Sequence, residues 1–379
     1  AARREGRPDR FYDITAWSLP YTFRVDAWWT GDALDAAPVE AAPAVAAVTP
    51  PDRAGYAYAF APGSEASYRL LGRLLADSVR VRHAPRGFRV GEAAFPEGAF
   101  LVLVGRNRDR DIHGLVTAAA RAAGAPLNTA LADEGPDLGS NTVEAIPVPR
   151  VALVGGDGTS PYSFGAAWFV FDQRLGLPVT RVELELLPRV LDDFTVVVLP
   201  STYDIGGSLD ADGTESLRRW VREGGTLVAL DAATDWLVSS ELVRLTVREP
   251  GAGEDGEAPL PAPVPGAIVR AVADTLSPLL AGIRGPELPV MLSGSRVFEA
   301  PEDAEPGEVA IRYAEADRLR LAGYLWPEAP GRAAGAPYLW TERAGGGRII
   351  AFAGDPNFRA LWRGLLPIFA NAVFLGGTF

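Results

Sequence analysis

From residue 150 onward the chain alternates short apolar runs with amphipathic stretches of helical period, and this alternation constrains its fold more than any other feature. Residues 151–154 (VALV), 194–199 (FTVVVL) and 226–230 (TLVAL) are almost wholly apolar. Runs of that length without polar alternation are strands buried on both faces. Between them, Phe164, Trp168, Phe171 and Leu175 recur at helical spacing, and so do Leu217, Trp220 and Val221. Ser160 followed by Pro161 reads as a helix N-cap and first helical residue. Gly176 and the Gly224-Gly225 pair read as stops. Residues 179–184 and 348–352 (RIIAF) supply further strands, and 359–375 reads as a closing helix. The pattern predicts an α/β domain with a parallel sheet covered by helices on both faces.

A smaller α/β unit precedes it. Residues 56–60, 78–83 and 99–104 read as strands. One helix is capped by Ser64 and carries Leu70, Leu71, Leu74 and Leu75; a second runs from Asp111 to a stop at Gly124. Residues 10–29 are crowded with aromatics without a period, and 32–52 are rich in Ala and Pro, as a linker would be. The expected organisation is therefore 1–54 as the tail of an upstream domain plus linker, 55–147 as a small α/β domain, and 148–379 as the larger one. Within the last, a Pro-, Gly- and Glu-rich stretch at 249–266 reads as an exposed excursion, followed by strands at 289–292, 308–312 and 320–325. The polar start at 1–10 lacks Met and any apolar core, and reads as a cut or processed end.

Absent residue types narrow the chemistry. There is no Cys, which removes thiol nucleophiles and thiolate metal sites, and all 36 cationic side chains are Arg, which removes Schiff-base chemistry. The net charge of −12 and the scattered arginines argue against nucleic acid and anionic lipid as partners. No run is long enough to span a membrane. The only histidines are His83 and His113, and neither begins an HxxE or HExxH pattern, so no catalytic zinc site is expected.

In an open parallel sheet, ligands bind outside the carboxyl ends of the strands. The loops there carry Asp157 and Ser160 in GGDGTSPYS, then Ser201, Tyr203 and Asp204, then Asp231, Thr234 and Asp235, and finally Asp355, Asn357 and Arg359. Asp157, Ser160, Tyr203, Asp231 and Asp355 are the candidate ligand-binding residues. The plainer reading of each is a turn or helix cap. Ser160, Ser163 and Ser201 could be nucleophiles, but none lies in a GxSxG elbow. Asp157, Asp231 and Asp355 could pair for glycoside hydrolysis or hold a hard cation if they converge.

The stretch 150–237 resembles the class I glutamine-amidotransferase-like fold, a flavodoxin-like sheet. Active members carry a cysteine on a strand-to-helix turn, served by a His-Glu pair. Here that turn is Asp231-Ala232-Ala233-Thr234 and no histidine follows, so the resemblance implies the fold without amidotransferase activity. The order RFYDITAWSLPYTF, DLGSN (137–141), RVALVGGDGTSPYSFGAAWFVFDQRLGLPVTR and GRIIAFAGDPNFRALWRG resembles the C-terminal part of bacterial M14-family zinc carboxypeptidase-like proteins. That resemblance implies an accessory region that supports or restricts an upstream peptidase domain, with peptide substrates, zinc held only by that domain, and a periplasmic or extracellular location. A stand-alone module binding a small molecule or peptide, or an oligomerisation module with Trp28, Trp29 and Trp326 as contact residues, is the alternative.

Overall fold

The computed structural model describes residues 13–33, 35, 51–248 and 263–379. Most of the Ala/Pro-rich linker and of the 249–266 excursion lies outside the described residues.

Five parallel strands form the centre: β1 (Val151–Val154), β2 (Val179–Val182), β3 (Val196–Leu199), β4 (Thr226–Leu230) and β5 (Gly347–Phe352). Their spatial order is 2-1-3-4-5, with every neighbouring pair parallel. This is the flavodoxin-like order, which reverses between β1 and β3. Side chains alternate across the sheet. Val151, Leu153, Val196, Val198, Val228, Leu230, Ile350 and Phe352 enter one apolar cluster, and Ala152, Val154, Val197, Leu199, Leu227, Ala229, Ile349 and Ala351 enter the other. Both faces of β1, β3 and β4 are thus dry, which explains why those strands read as almost unbroken apolar runs, whereas the edge strand β2 exposes Thr180 and Arg181.

Helix α1 (Pro161–Phe169) begins at Ser160, whose hydroxyl accepts the Ser163 N–H, and continues as a π-turn to the left-handed Gly176. It packs on the first face together with the closing helix. The second face is covered by α2 (Ala211–Arg222), with Leu217, Trp220 and Val221 inward, and α3 (Ala232–Ser239). The closing helix, α4 (Leu366–Phe374), is buried at every residue. It starts later than the expected 359, because Arg359 and Ala360 take left-handed φ values of 53° and 56°.

Between α3 and β5 the chain builds an antiparallel wing, strands Glu287–Gly294, Val264–Ala273, Val309–Tyr313 and Pro337–Ala344 in that spatial order, which joins the parallel sheet through β5. The strand at Val264–Ala273 begins inside the stretch read as an excursion, so that expectation is corrected for 264–266. The strand at Pro337–Ala344 was not expected either.

In the earlier unit a five-stranded antiparallel sheet, Asn128–Ala130, Ala57–Phe60, Phe100–Leu103, Arg82–His83, Glu144–Ala145, carries helices Glu65–Ala76 and Ile112–Ala123. Residues 78–81 are not strand, since Ser78 has a φ of 57° and closes the preceding helix. The buried cluster runs without a break from Tyr58, Leu71 and Phe100 through Phe171 to Phe369 and Phe374. Inside it, the Tyr68 hydroxyl donates to Asn371 Oδ1 at 2.7 Å, and Asn371 Nδ2 donates to the Leu279 and Ala281 carbonyls at 2.9 and 3.0 Å.

Candidate functional site

β4 passes directly into α3 through one residue, Asp231, with φ 52° and ψ −118°. A non-glycine residue with positive φ at a strand-to-helix turn is strained by about 1–3 kcal/mol, and such a turn lifts its side chain above the sheet edge. The turn is held by Asp231 N–H donating to the Phe352 carbonyl at 3.0 Å and by the Thr234 hydroxyl donating to the same carbonyl at 2.7 Å. Thr234 is fully buried and serves the backbone rather than a ligand.

Neighbouring strand ends close on this elbow. The Ser201 hydroxyl, after β3, donates to Asp231 Oδ2 at 2.8 Å. Ser201 N–H donates to Ser163 Oγ at 3.1 Å, and the Ser163 hydroxyl donates to Asp355 Oδ2 at 2.7 Å. Asp355 Oδ1 accepts the Asn357 N–H at 2.8 Å. Two carboxylates from the ends of β4 and β5 are therefore bridged by two serines, one in the first turn of α1 and one at the end of β3. The loops after β1 and β3 are themselves zipped together, with Ser160 N–H on the Ser201 carbonyl and Tyr203 N–H on the Gly158 carbonyl.

Burial raises the Asp355 carboxyl to about 6, with the Asp231 charge adding in the same direction against the hydrogen bonds from Ser163 and Asn357. Burial also raises Asp231, opposed by the Ser201 hydroxyl and the Ala232 N–H. Below them lie the fully buried phenols of Tyr338 and Tyr313, raised first by their own burial and then by neighbouring charges that include Asp231. Asp235, one turn along α3, is paired with Arg296 at 2.6 Å. Asn357 is 1% exposed, and both polar atoms of its amide lack a partner.

Of the five sequence candidates, Asp231 and Asp355 belong to one network, and Ser160 sits beside it as the cap of α1. Tyr203 is 75% exposed at the rim. Asp157 is exposed on the β1 loop and joins none of these hydrogen bonds. Among the described residues no group of three or more His, Asp or Glu side chains is placed to hold a metal ion. Ser163, weighed in the sequence only as a nucleophile, and Ser201, weighed as a nucleophile and as one of the strand-end polar groups, are the links. Their signal was position at the ends of β1 and β3, which does not reveal what a hydroxyl faces.

Chemically, both serine hydroxyls are committed as donors to carboxylates and no imidazole is available to them. His113 Nδ1 shares a hydrogen bond with the Tyr58 hydroxyl at 2.7 Å, and His83 is buried 3.7 Å from Glu144, its pKa pushed down to about 4 by burial and then by Arg82. The Asp231–Asp355 pair can gain and lose a proton near neutral pH and offer both donors and acceptors.

No family model matches the chain, and no curated protein matches it. Among solved structures it is similar to a ThuA-like protein from Parabacteroides merdae (15% identity, 61% of this chain and 90% of that one, TM-score 0.38). A ThuA-like protein from Bacteroides uniformis gives 14% identity over 58% of this chain and 89% of that one, with a TM-score of 0.40. A β-galactosidase from Bacillus circulans gives 15% identity over 58% of this chain and 30% of that one, with a TM-score of 0.35. The strand order defines an α/β, flavodoxin-like fold on the chain's own topology.

Proposed function

We propose that this chain is a non-catalytic accessory region whose strand-end crevice holds a small polar ligand. The observation that carries this reading is Asp231 at the elbow, tied through Ser201 and Ser163 to Asp355. A carboxylate stands where an amidotransferase-like site would need a thiol, and the nearby hydroxyls are occupied as donors. Strain at Asp231, desolvation at Asp355 and an unpartnered side-chain amide at Asn357 meet in one hydrogen-bonded network, a concentration of local cost that a bound polar ligand would offset.

On the sequence resemblance, the region serves a zinc carboxypeptidase domain of the M14 kind in an exported protein, supporting or limiting access of peptides to it. That part rests on the quoted motif order alone. The test is to assay the chain against carboxypeptidase substrates with added zinc and to titrate it with dipeptides and small sugars by NMR. Turnover comparable to an intact M14 enzyme would overturn the non-catalytic reading. Binding that perturbs Ser163, Ser201 and Asn357 amides and is lost in Asp231→Ala is the expected result; no perturbation by any probe removes the ligand site.

A second reading, an oligomerisation module, is favoured by Trp28 and Trp29, which are 85% and 88% exposed. Trp326 does not contribute, since it is partly buried and donates to the Pro263 carbonyl. A monomer at high concentration in sedimentation would count against this reading.

A further inference from the structure

The DLGSN run at 137–141 plays no part in the strand-end network, yet it closes one side of a cavity in the earlier unit. That cavity, of about 440 Å³, is lined by Gly55, Tyr56, Gly105, Arg106, Arg108 and Gly139, together with Leu103 and Val104 at the end of the strand. Its size lies in the range of small-molecule sites. Three of the eight lining residues are glycines, so part of the wall is bare backbone. A Cβ at Gly139 would stand 2.5 Å from the Tyr56 hydroxyl, so a side chain there would push the phenol aside.

The two cations decide the chemistry. Arg106 and Arg108 lie one residue apart at the end of the Phe100–Leu103 strand, and among the described residues neither has a carboxylate within ion-pair distance. Nearby arginines differ: Arg53 pairs with Asp111 at 3.1 Å, and Arg110 donates to the Asp77 carbonyl. The Arg108 guanidinium lies along Gly105, 3.6 Å from where its Cβ would be. The carboxylate at this rim, Asp137, is already engaged. It accepts the Gly139 N–H at 2.8 Å and hydrogen-bonds the Tyr56 phenol, whose pKa is raised by burial first and then by Asp137. What remains open toward the cavity is two guanidiniums beside an exposed phenol ring.

We propose that this cavity is a second binding site, independent of the strand-end crevice, for a small organic oxyanion, a phosphate ester or a carboxylate. Arg106 and Arg108 supply charge-assisted donors, and the Tyr56 ring supplies a face for the organic part. In a protein of net charge −12, a pair of uncompensated guanidiniums facing a cavity is the local exception that draws an anion in.

The test uses phenyl phosphate and benzoate as probes, titrated into the chain while amide shifts are followed by NMR at low and at 150 mM ionic strength (about one Debye length of 8 Å at the higher value). The expected result is saturable binding of at least one probe, with shifts at Tyr56, Gly105 and Gly139. Arg106→Gln with Arg108→Gln should weaken it by about tenfold or more, as loss of charge-assisted hydrogen bonds does. A charge-matched control, Arg73→Gln with Arg121→Gln on exposed helix positions, should change it less than about twofold, since distant exposed charges are screened. Tighter binding of phenyl phosphate than benzoate identifies phosphate esters; the reverse identifies carboxylates. Absence of shifts with both probes, or equal weakening by both double variants, overturns the site. Because all four arginines are exposed, the variants keep the fold, and unchanged melting curves verify it.

Discussion

Asp355→Asn should stabilise the protein above neutral pH and do so less as the pH falls. Moving a carboxyl from its ordinary 3.8 to about 6 corresponds to about 3 kcal/mol of folding free energy. Asp355 as a residue is only partly buried, although its carboxyl is strongly desolvated, so solvent screening lowers this to about 2 kcal/mol. The sign follows from proton binding. A raised pKa means the folded state holds the proton more tightly, so between about pH 4 and 6 the native protein carries more protons than the unfolded chain. Stability is greatest below that window and falls as the pH rises through it. An asparagine cannot ionise, and its amide oxygen can still accept the Asn357 N–H. It serves the Ser163 hydroxyl less well, which costs about 1 kcal/mol.

The net expectation is a variant more stable than the parent by about 1 kcal/mol at pH 8 and less stable by about 1 kcal/mol near pH 4. Urea unfolding at pH 4, 5, 6, 7 and 8 measures both proteins under the same conditions. Asp231 and Asp235 are also raised by burial and tilt the parent curve the same way, so the informative quantity is the difference between the two proteins. A difference that stays constant from pH 4 to 8 would refute the claim that Asp355 is held unfavourably charged at neutral pH.

Other perturbations test how the parts are joined. Asn371→Leu keeps the volume but strands the Leu279 and Ala281 carbonyls and the Tyr68 hydroxyl in a dry core, and should cost about 3–5 kcal/mol in denaturant unfolding. Tyr68→Phe should cost about 1–2 kcal/mol, and the double variant less than the sum, since both remove one shared bond. Glu65→Gln leaves Arg69, Arg174 and Arg363 facing one another without the carboxylate that now binds all three at 2.7, 3.3 and 2.5 Å. With these side chains about three-quarters buried, a loss of about 2 kcal/mol that shrinks with added salt is expected in thermal melts. Gly347→Ala would set a Cβ 2.0 Å from the Val221 carbonyl oxygen and 2.3 Å from that of Gly225; backbone cannot move aside cheaply, so little folded protein should be recovered.

The parts of the fold that could be read from sequence are those whose pattern depends only on burial. Val151–Val154 and Thr226–Leu230 are covered on both faces, so every residue but Thr226 is apolar whatever lies beside it. Ser160-Pro161 and Gly176 mark helix ends through a local side-chain cap and backbone geometry, with no tertiary partner needed. The strand at Val264–Ala273 escaped notice because it follows a Pro- and Gly-rich stretch and begins with Val-Pro-Gly, residues that speak for a turn. The closing helix was drawn too long because left-handed φ at Arg359 and Ala360 is set by tertiary contacts, among them Arg359 on Asp13 at 2.8 and 3.0 Å, some 346 residues apart in sequence. The candidate site divides the same way. That Asp231 and Asp355 follow strands is visible in the sequence; that Ser201 faces one and Ser163 the other depends on strand order, which no local pattern carries.

That strand order also bears on why an aspartate occupies the elbow. The turn geometry at residue 231 follows from β4 entering α3 without a loop, and it would be easiest for glycine. Asp231 instead adds a desolvated carboxylate close enough to raise the pKa of Asp355, so backbone strain and charge repulsion act at the same point. A residue kept only to complete the turn would not bring the second cost. The Ser201 hydroxyl offsets part of it, as does the Ala232 N–H, but Asp231 is still left with a raised pKa. A ligand donating hydrogen bonds to both carboxylates would relieve the repulsion and the desolvation together, whereas one that neutralises Asp231 alone would relieve only the smaller contribution at Asp355. The carboxylate pair is thus better matched to a ligand with two donors, such as a diol or an ammonium group, than to an anion. Anion binding belongs to the opposite chemistry at Arg106 and Arg108.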